Sequence, residues 1–213
     1  VFFLLNKKYS LVFSITPKGG FLAQTGSLFA LVKKRVHWFG GQVWATREGI
    51  ARKLLKMSDI LMQLIATNIL TECVSQKKFL ENEKVVKKNK LVVLGSGSIC
   101  GVNTEIFKPD QKFRSNVRDS LKIPESSLLL LFLGRLNLEK GIVDLSQAVS
   151  ELIYEGNKNI HLLIVGPDEE NIKELISKKY KSTIYNMHFV NFTTEPEKYM
   201  AAADIFCLPS YRE

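Results

Sequence analysis

The sequence predicts an α/β protein of two domains, each a parallel sheet with covering helices, and three observations carry that prediction. Short β-branched or Leu-rich runs alternate with helical periodicity along the chain, the signature of strand–helix–strand units. A glycine-rich stretch at residues 95–101 interrupts the alternation near the midpoint. The charge changes sign at the same place: residues 1–100 hold 16 Lys+Arg against 5 Asp+Glu, net +11, and residues 101–213 hold 14 against 16, net −2. The boundary is expected at 97/98, giving domains over residues 1–97 and 98–213.

Taken in order, residues 11–15 predict a strand. Thr16, Pro17, Lys18, Gly19 and Gly20 then turn the chain into a helix running to about residue 32. Residues 35–39 form a second strand, closed by Gly40 and Gly41. From residue 46 to about 66, Ile50, Leu54, Met57, Leu61, Leu64 and Ile65 recur at helical spacing. A strand at 69–74, a helix at 76–83 and a strand at 91–94 complete the first half. The second half predicts a helix at 113–121, a strand at 128–133, a helix at 142–154 and a strand at 161–165. A helix at 171–179, a strand at 188–190, a helix at 195–202 and a strand at 205–208 follow. The apolar face of the 142–154 helix is read as Ile142, Leu145, Val149 and Leu152.

Composition narrows the class. With 213 residues, 46% hydrophobic, 24% charged and 10% aromatic, the chain is neither disordered, collagen-like nor a disulfide scaffold. No apolar run approaches the roughly 18 residues a spanning helix needs. The opening Val1, Phe2, Phe3, Leu4 and Leu5 meets Asn6, Lys7 and Lys8 at once, unlike a signal sequence. Cys73, Cys100 and Cys207 are odd in number and far apart, which argues against a disulfide framework or a zinc site and for a reducing compartment. A basic half suits an anionic partner, whether nucleic acid, acidic lipid or a phosphorylated substrate, or is a solvated face. Both readings stand at this point.

The segment richest in chemistry follows the 128–133 strand: Gly134, Arg135, Leu136, Asn137, Leu138, Glu139, Lys140 and Gly141. It is a buried strand delivering an Arg into a loop, with a Lys five positions on, before a Gly that opens a helix. Two cations and a helix N-terminus at the C-terminal edge of a parallel sheet suit a diphosphate. Two solvated cations on an ordinary connection is the plainer alternative.

Those residues also carry a resemblance. The pattern Gly134-Arg135 with Glu139-Lys140-Gly141, then Gly166-Pro167, then Val190 to Phe192, then Tyr199 with Asp204, Pro209, Ser210 and Glu213, resembles the nucleotide-sugar-binding domain of retaining glycosyltransferases of family 4. The resemblance extends over the whole chain. Gly97 to Asn103 with Phe107 and Pro109 is similar to the family's interdomain segment. Ser14, Thr16, Pro17, Lys18, Gly19 and Gly20, with Gly41, Gln42, Val43 and Trp44, are similar to its acceptor-domain loops, of the polysaccharide-assembly type.

The resemblance implies two Rossmann-like domains in the GT-B arrangement, both incomplete here, in an internal fragment expected to be inactive and aggregation-prone alone. It implies a hexosyltransferase moving a sugar, with retention, from a nucleotide-sugar donor to a saccharide or lipid-linked saccharide acceptor in cell-surface polysaccharide biosynthesis. Gly134, Arg135, Lys140 and Glu213 are the implied donor-binding residues, and Lys18, Gly19 and Gly20 the acceptor-side loop. No cofactor and no metal are expected, because Arg, Lys and helix amides neutralise the leaving diphosphate. The expected place is the cytoplasm, peripheral on the inner face of an anionic membrane. The chain departs from the family pattern in lacking its N-terminal Gly-rich loop and the second acid after Glu213. The family's catalytic His sits at the end of the strand that here carries His37. Gly40 occupies the usual position, and His37, a few residues early, is carried as the candidate, with the alternative that it points into the core.

The remaining motifs have plain readings beside functional ones. His161 and His188 read as structural. Residues 167–170 read as the cap and acidic first turn of a helix. Trp38 and Trp44 stack on a sugar or belong to the core. Trp44 and the helix bearing Arg52, Lys53 and Lys56 also fit a membrane-surface element, as do Lys84, Lys87, Lys88 and Lys90 on a loop. The rival classes are a non-catalytic basic module binding nucleotide or nucleic acid, and another GT-B enzyme such as a nucleotide-sugar epimerase. No RNA- or DNA-binding motif appears, so nucleic acid is not an expected partner.

Overall fold

The apolar runs of the first half assemble, in the computed structural model, into one parallel sheet. The structure describes residues 9–98 and 100–211 and divides into two units, Val1–Gly101 and Val102–Glu213. In the first unit β1 (Leu11–Ser14), β2 (Lys34–Phe39), β3 (Asn68–Thr71) and β4 (Leu91–Val93) pair in chain order, all parallel. The crossovers are α1 (Pro17–Phe29), α2 (Gly49–Ile65) and α3 (Val74–Asn82). Pro17 opens α1 where its missing N–H costs nothing. Phe39, Trp44, Ile69, Leu80, Val86 and Leu91 form the core cluster of this unit. Ser98 N–H bonds the Glu72 carbonyl at 2.6 Å, which ties the start of the glycine-rich segment to this unit.

Two expectations change here. The strand predicted at 69–74 ends at Thr71, because Cys73 turns outward as the N-cap of α3, its thiol accepting from Gln76 N–H at 3.5 Å. And α2 turns a mixed face inward: Arg52, Lys56, Asp59 and Gln63 face the protein beside the buried Met62 and the partly buried Ile60, while Ile50, Leu54, Met57, Leu61 and Leu64 are exposed. The inward polar groups are all partnered. Arg52 donates to the Trp44 and Ala45 carbonyls and to Glu83, and Lys56 donates to Glu83 at 2.6 Å. Asp59 accepts from Trp44 Nε1 at 2.7 Å, and Lys90 donates to the Gln63 carbonyl at 2.6 Å. Trp44 is therefore core: buried, stacked on Phe79, with Arg52 and Lys56 over its ring.

In the second unit β5 (Leu128–Leu133) is central, in the order β7 (Met187–Val190), β6 (Ile160–Val165), β5, β8 (Ile205–Phe206), all parallel. Helices α4 (Gln111–Ser120), α5 (Ile142–Tyr154), α6 (Ile172–Lys179) and α7 (Pro196–Ala202) cover both faces. Leu130 and Phe132 face α5 and α6 with Leu162 and Ile164. Leu129 and Leu131 face α4 and α7 with Leu163 and Val165. A strand buried on both sides has no polar face to show, which is why β5 reads Leu-Leu-Leu-Leu-Phe-Leu without alternation. Ile153, not the predicted Leu152, closes the buried face of α5, and Leu152 is exposed.

Candidate active site

The chain leaves β5 toward β6 on one side, while β8 joins β5 on the other. Connections diverging from neighbouring parallel strands open a crevice at their C-terminal ends, the place where such sheets bind ligands. Three loops meet there. The loop after β5 runs beside the loop after β6: Leu136 N–H bonds the Pro167 carbonyl at 2.8 Å and Glu169 N–H returns to the Leu136 carbonyl at 3.1 Å. A Cβ on Gly166 would stand 1.9 Å from the Gly134 carbonyl oxygen, so the close approach needs the glycine at 166. The loop after β8 docks on the same segment. Tyr211 N–H bonds the Glu139 carbonyl at 2.9 Å, and the Tyr211 hydroxyl donates to Asp144 at 2.8 Å.

Arg135, Lys140 and Gly134 all lie on the β5–α5 connection. Asn137 caps a short 3-10 turn, Leu138–Lys140, its Oδ1 accepting from Lys140 N–H at 3.2 Å. Gly141 then takes φ +67° and starts α5; a Cβ there would sit 2.1 Å from the Pro209 carbonyl. The exposed Arg135 guanidinium donates from Nη1 to both Glu169 oxygens, at 3.2 and 3.3 Å. Asn137 Nδ2 donates to Glu169 at 3.0 Å, and Leu138 N–H donates to Glu170 at 2.9 Å. The Asn137 hydrogen bond, then Arg135, hold the Glu169 carboxyl below its usual range. Three anion-seeking donors thus face two carboxylates from the neighbouring loop.

Of residues 167–170, Asp168 does cap a helix, its carboxylate accepting from Ile172 and Lys173 N–H at 2.8 and 3.0 Å. Glu169 and Glu170 do not; they reach across to the Arg135 loop. Sequence reasoning missed them, and missed Asn137, although two acids directly after a Gly-Pro strand end were the available signal. Glu213 lies outside the described residues.

The other candidates are in the first unit. Lys18, Gly19 and Gly20 form the first turn of α1, and Lys18 borders a cavity of about 660 Å³ with Phe21, Leu22, Trp44 and Leu55. Gly20 abuts His37: a Cβ would stand 2.7 Å from His37 Cε1. His37 is fully buried, its Nδ1 2.8 Å from Ser14 Oγ, which in turn accepts from Gln24 Nε2 at 2.8 Å. Burial lowers its pKa to about 4. Gln24 also donates to the Val36 carbonyl, so the imidazole belongs to a buried network joining β1, α1 and β2. His161 and His188 stack on adjacent strands with Nδ1 and Nε2 3.0 Å apart.

Residues 113–213 match the family described as Glycosyl transferases group 1. That match spans just under half of the chain. The chain is 25% identical over 210 residues to the capsular polysaccharide biosynthesis glycosyltransferase CapM of Staphylococcus aureus, covering 98% of this chain and 54% of that protein. It is 28% identical over 113 residues to the putative teichuronic acid biosynthesis glycosyltransferase TuaC of Bacillus subtilis (strain 168), covering 53% of this chain and 26% of that one. It spans about half the length of CapM. Among solved structures it superposes on Anabaena HepE in complex with UDP with a TM-score of 0.76 at 14% identity, over 97% of this chain and 55% of that one. The two four-stranded parallel sheets match the GT-B glycosyltransferase fold. Within the matched segment, the Arg135–Lys140 connection lies at the C-terminal edge of the sheet beside the crevice. Among the described residues no helix is long and apolar enough to cross a membrane.

Proposed function

We propose that this chain supplies the donor-binding and acceptor-side parts of a glycosyltransferase. It would move a sugar, with retention, from a nucleotide-sugar donor to a saccharide acceptor, lipid-linked, during cell-surface polysaccharide assembly. The work would be done at the cytoplasmic face of an anionic membrane. The observation that carries the reading is the β5–α5 connection, where Arg135, Asn137 and the Leu138 N–H converge on two carboxylates at the crevice between β5 and β8. Groups that gather carboxylates will also gather a diphosphate, which brings more charge and more acceptor oxygens. Solved GT-B relatives hold UDP and UDP-glucose, which supports a nucleoside diphosphate sugar as the donor.

The chemistry follows from charge. As the glycosidic bond breaks, the diphosphate leaves with a developing negative charge. Arg135 meets it with a fork, Lys140 with a point charge and α5 with the positive end of its dipole. Donors fixed before the reaction stabilise the charge without reorganising, each worth about 2.7–4 kcal/mol of barrier. The buried, neutral His37 is left to packing, and the acid of Glu213 to the donor sugar.

Calorimetric titration of UDP into the chain tests the reading. Arg135→Ala and Lys140→Ala should each weaken binding about tenfold or more, the scale of a hydrogen bond to a charged group. Arg135→Lys should not restore it, because one point charge cannot replace the fork. The double substitution should cost less than the sum, since both residues meet one diphosphate. Chelation with EDTA should leave UDP binding unchanged. Unaltered UDP affinity in both single variants would remove these residues from the donor site, and tighter binding to DNA than to UDP would favour a nucleic-acid module.

A further inference from the structure

We propose that Cys73 and Cys100 are a redox-sensitive dithiol, joined into a disulfide by low-molecular-weight disulfides, and that this bond fastens the glycine-rich segment to the start of α3. All three cysteines are free thiols in this structure, and in the sequence these two stand far apart. The fold of the first unit brings them to one place. Cys73 follows β3 and caps α3, and the segment after β4 crosses the same spot. Gly97 takes φ +96°, and a Cβ there would stand 2.5 Å from the Glu72 carbonyl oxygen and 3.3 Å from Cys73 Cα. Ser98 N–H bonds the Glu72 carbonyl at 2.6 Å. Ser98 Oγ donates to the Cys100 carbonyl at 2.6 Å, which folds the chain back on itself. From Ser98 to Cys100 the chain reaches about 7 Å at most. A disulfide needs Cα atoms about 5.5–6 Å apart, so closure asks only for a movement of this short exposed turn.

The two thiols have different tasks. Cys73 Sγ lies 3.0 Å from Ser75 Oγ and accepts from Gln76 N–H at 3.5 Å. Those donors, Ser75 first, lower its pKa, although burial and the neighbouring Glu72 oppose them. The half-buried thiol also stands at the N-terminus of a nine-residue helix, whose dipole favours a thiolate. Cys73 is therefore the attacking group. Cys100, exposed on the turn, is the resolving one. Cys207 is the contrast: half-buried after β8, its thiol pushed up by burial, it stays protonated. In the first step the Cys73 thiolate attacks one sulfur of a small disulfide RSSR, the S–S bond breaks, and RS⁻ leaves with the electron pair. In the second, Cys100 gives its proton to water and attacks Cys73 Sγ, expelling the second RS⁻. The two protein thiols lose two electrons and two protons, and RSSR becomes two RSH. A reducing compartment holds the pair as thiols, and the bond forms when the pool of small disulfides rises.

Incubation of the chain with oxidised glutathione, followed by alkylation and mass spectrometry of the whole chain and its peptides, tests the pair. The expected product has lost two hydrogens, carries one alkylated thiol at Cys207, links the Cys73 and Cys100 peptides within one chain, and reverts with dithiothreitol. Cys73 should be consumed about tenfold or more faster than Cys207. Cys100→Ser should stop the reaction at a glutathione adduct on Cys73, and Cys73→Ser should leave Cys100 largely unmodified over the same time. Gly97→Ala, which forces the segment away from Glu72, should lower the yield of the link while the Cys73 adduct still forms. Oxidation should also slow hydrogen exchange at the Ser98 and Gly101 amides. Separate glutathione adducts on Cys73 and Cys100 in the unsubstituted chain, a link through Cys207, a link only between chains, or no reaction would each overturn the proposal. An internal link that leaves exchange at Ser98 and Gly101 unchanged would overturn the fastening of the segment.

Discussion

Glu169 and Arg135 illustrate how one side chain sets the behaviour of another. Nη1 of Arg135 is shared between the two Glu169 oxygens, so an anion that takes this nitrogen must displace a carboxylate. Glu169→Gln keeps the shape and most of the Asn137 contact but removes the competing charge. UDP affinity should rise about two- to fivefold, the scale of an exposed ion pair, and the gain should shrink at high salt. A titration of that variant showing weaker binding would instead make Glu169 a group that positions Arg135 for the ligand. His37 is a different case. Its ring fills the space left by Gly20 and joins Ser14 and Gln24, so His37→Ala should cost about 2–4 kcal/mol of stability in denaturant melts and leave UDP affinity unchanged. The sequence named Arg135 and Lys140 because a strand–loop–helix with two cations is legible in one dimension. It did not reveal Glu169 or Asn137 as their partners, because that contact depends on β5 and β6 being neighbours in register.

At the scale of elements, Arg118 is the buried counterpart of the exposed Arg135. From α4 it donates to the Ala202, Pro124, Glu125 and Ser127 carbonyls and to Asp204, fastening α4, α7 and the start of β5. Burial opposes ionisation of Asp204, but the Leu129 amide, Arg114 and Arg118 outweigh it and keep the carboxylate charged. Removing the guanidinium takes its hydrogen bonds from the Glu125 and Ser127 carbonyls, while Asp204 and the Ala202 carbonyl keep Arg114 and the Pro124 carbonyl keeps the Ser127 N–H, so Arg118→Ala should cost about 2–4 kcal/mol in chemical denaturation. A loss below 1 kcal/mol would mean the staple is replaced by water. Strand and helix identities were largely readable from periodicity, since β5 and α5 have unmistakable lengths and compositions. Helix orientation was not. In α2 the 3.6-residue repeat is present in both the apolar and the polar residues, and the mixed face turned inward depends on partners as remote as Glu83 and Lys90.

At the scale of the molecule, the charge asymmetry and the histidines bear on behaviour in solution. His37 and His188 are both lowered by burial from 6.5 to about 4, His188 also by its neighbour His161. A histidine kept neutral in the fold binds its proton more readily when unfolded. Its stabilisation is therefore complete above pH 6.5 and is lost as pH falls from 6.5 toward 4. For His37 the loss is roughly 3 kcal/mol, and the melting temperature should fall through that window. His37→Phe should flatten the profile; an unchanged slope would place the acid sensitivity elsewhere. The two α/β units are Val1–Gly101 and Val102–Glu213, and the Ser98 N–H bond to the Glu72 carbonyl ties the glycine-rich segment to the first.

The central claim is that a nucleoside diphosphate is held by the connection from β5 to α5. Backbone amide NMR of the chain titrated with UDP addresses it most directly, because amides report contact residue by residue. The largest shifts are predicted at Leu138, Lys140, Gly141 and Ile142, with loss of the Arg135–Glu169 contact seen at the Arg135 side chain. Saturable shifts confined to Lys18, Gly19 and Gly20 in the first unit, with the Leu138–Ile142 amides unmoved, would contradict it.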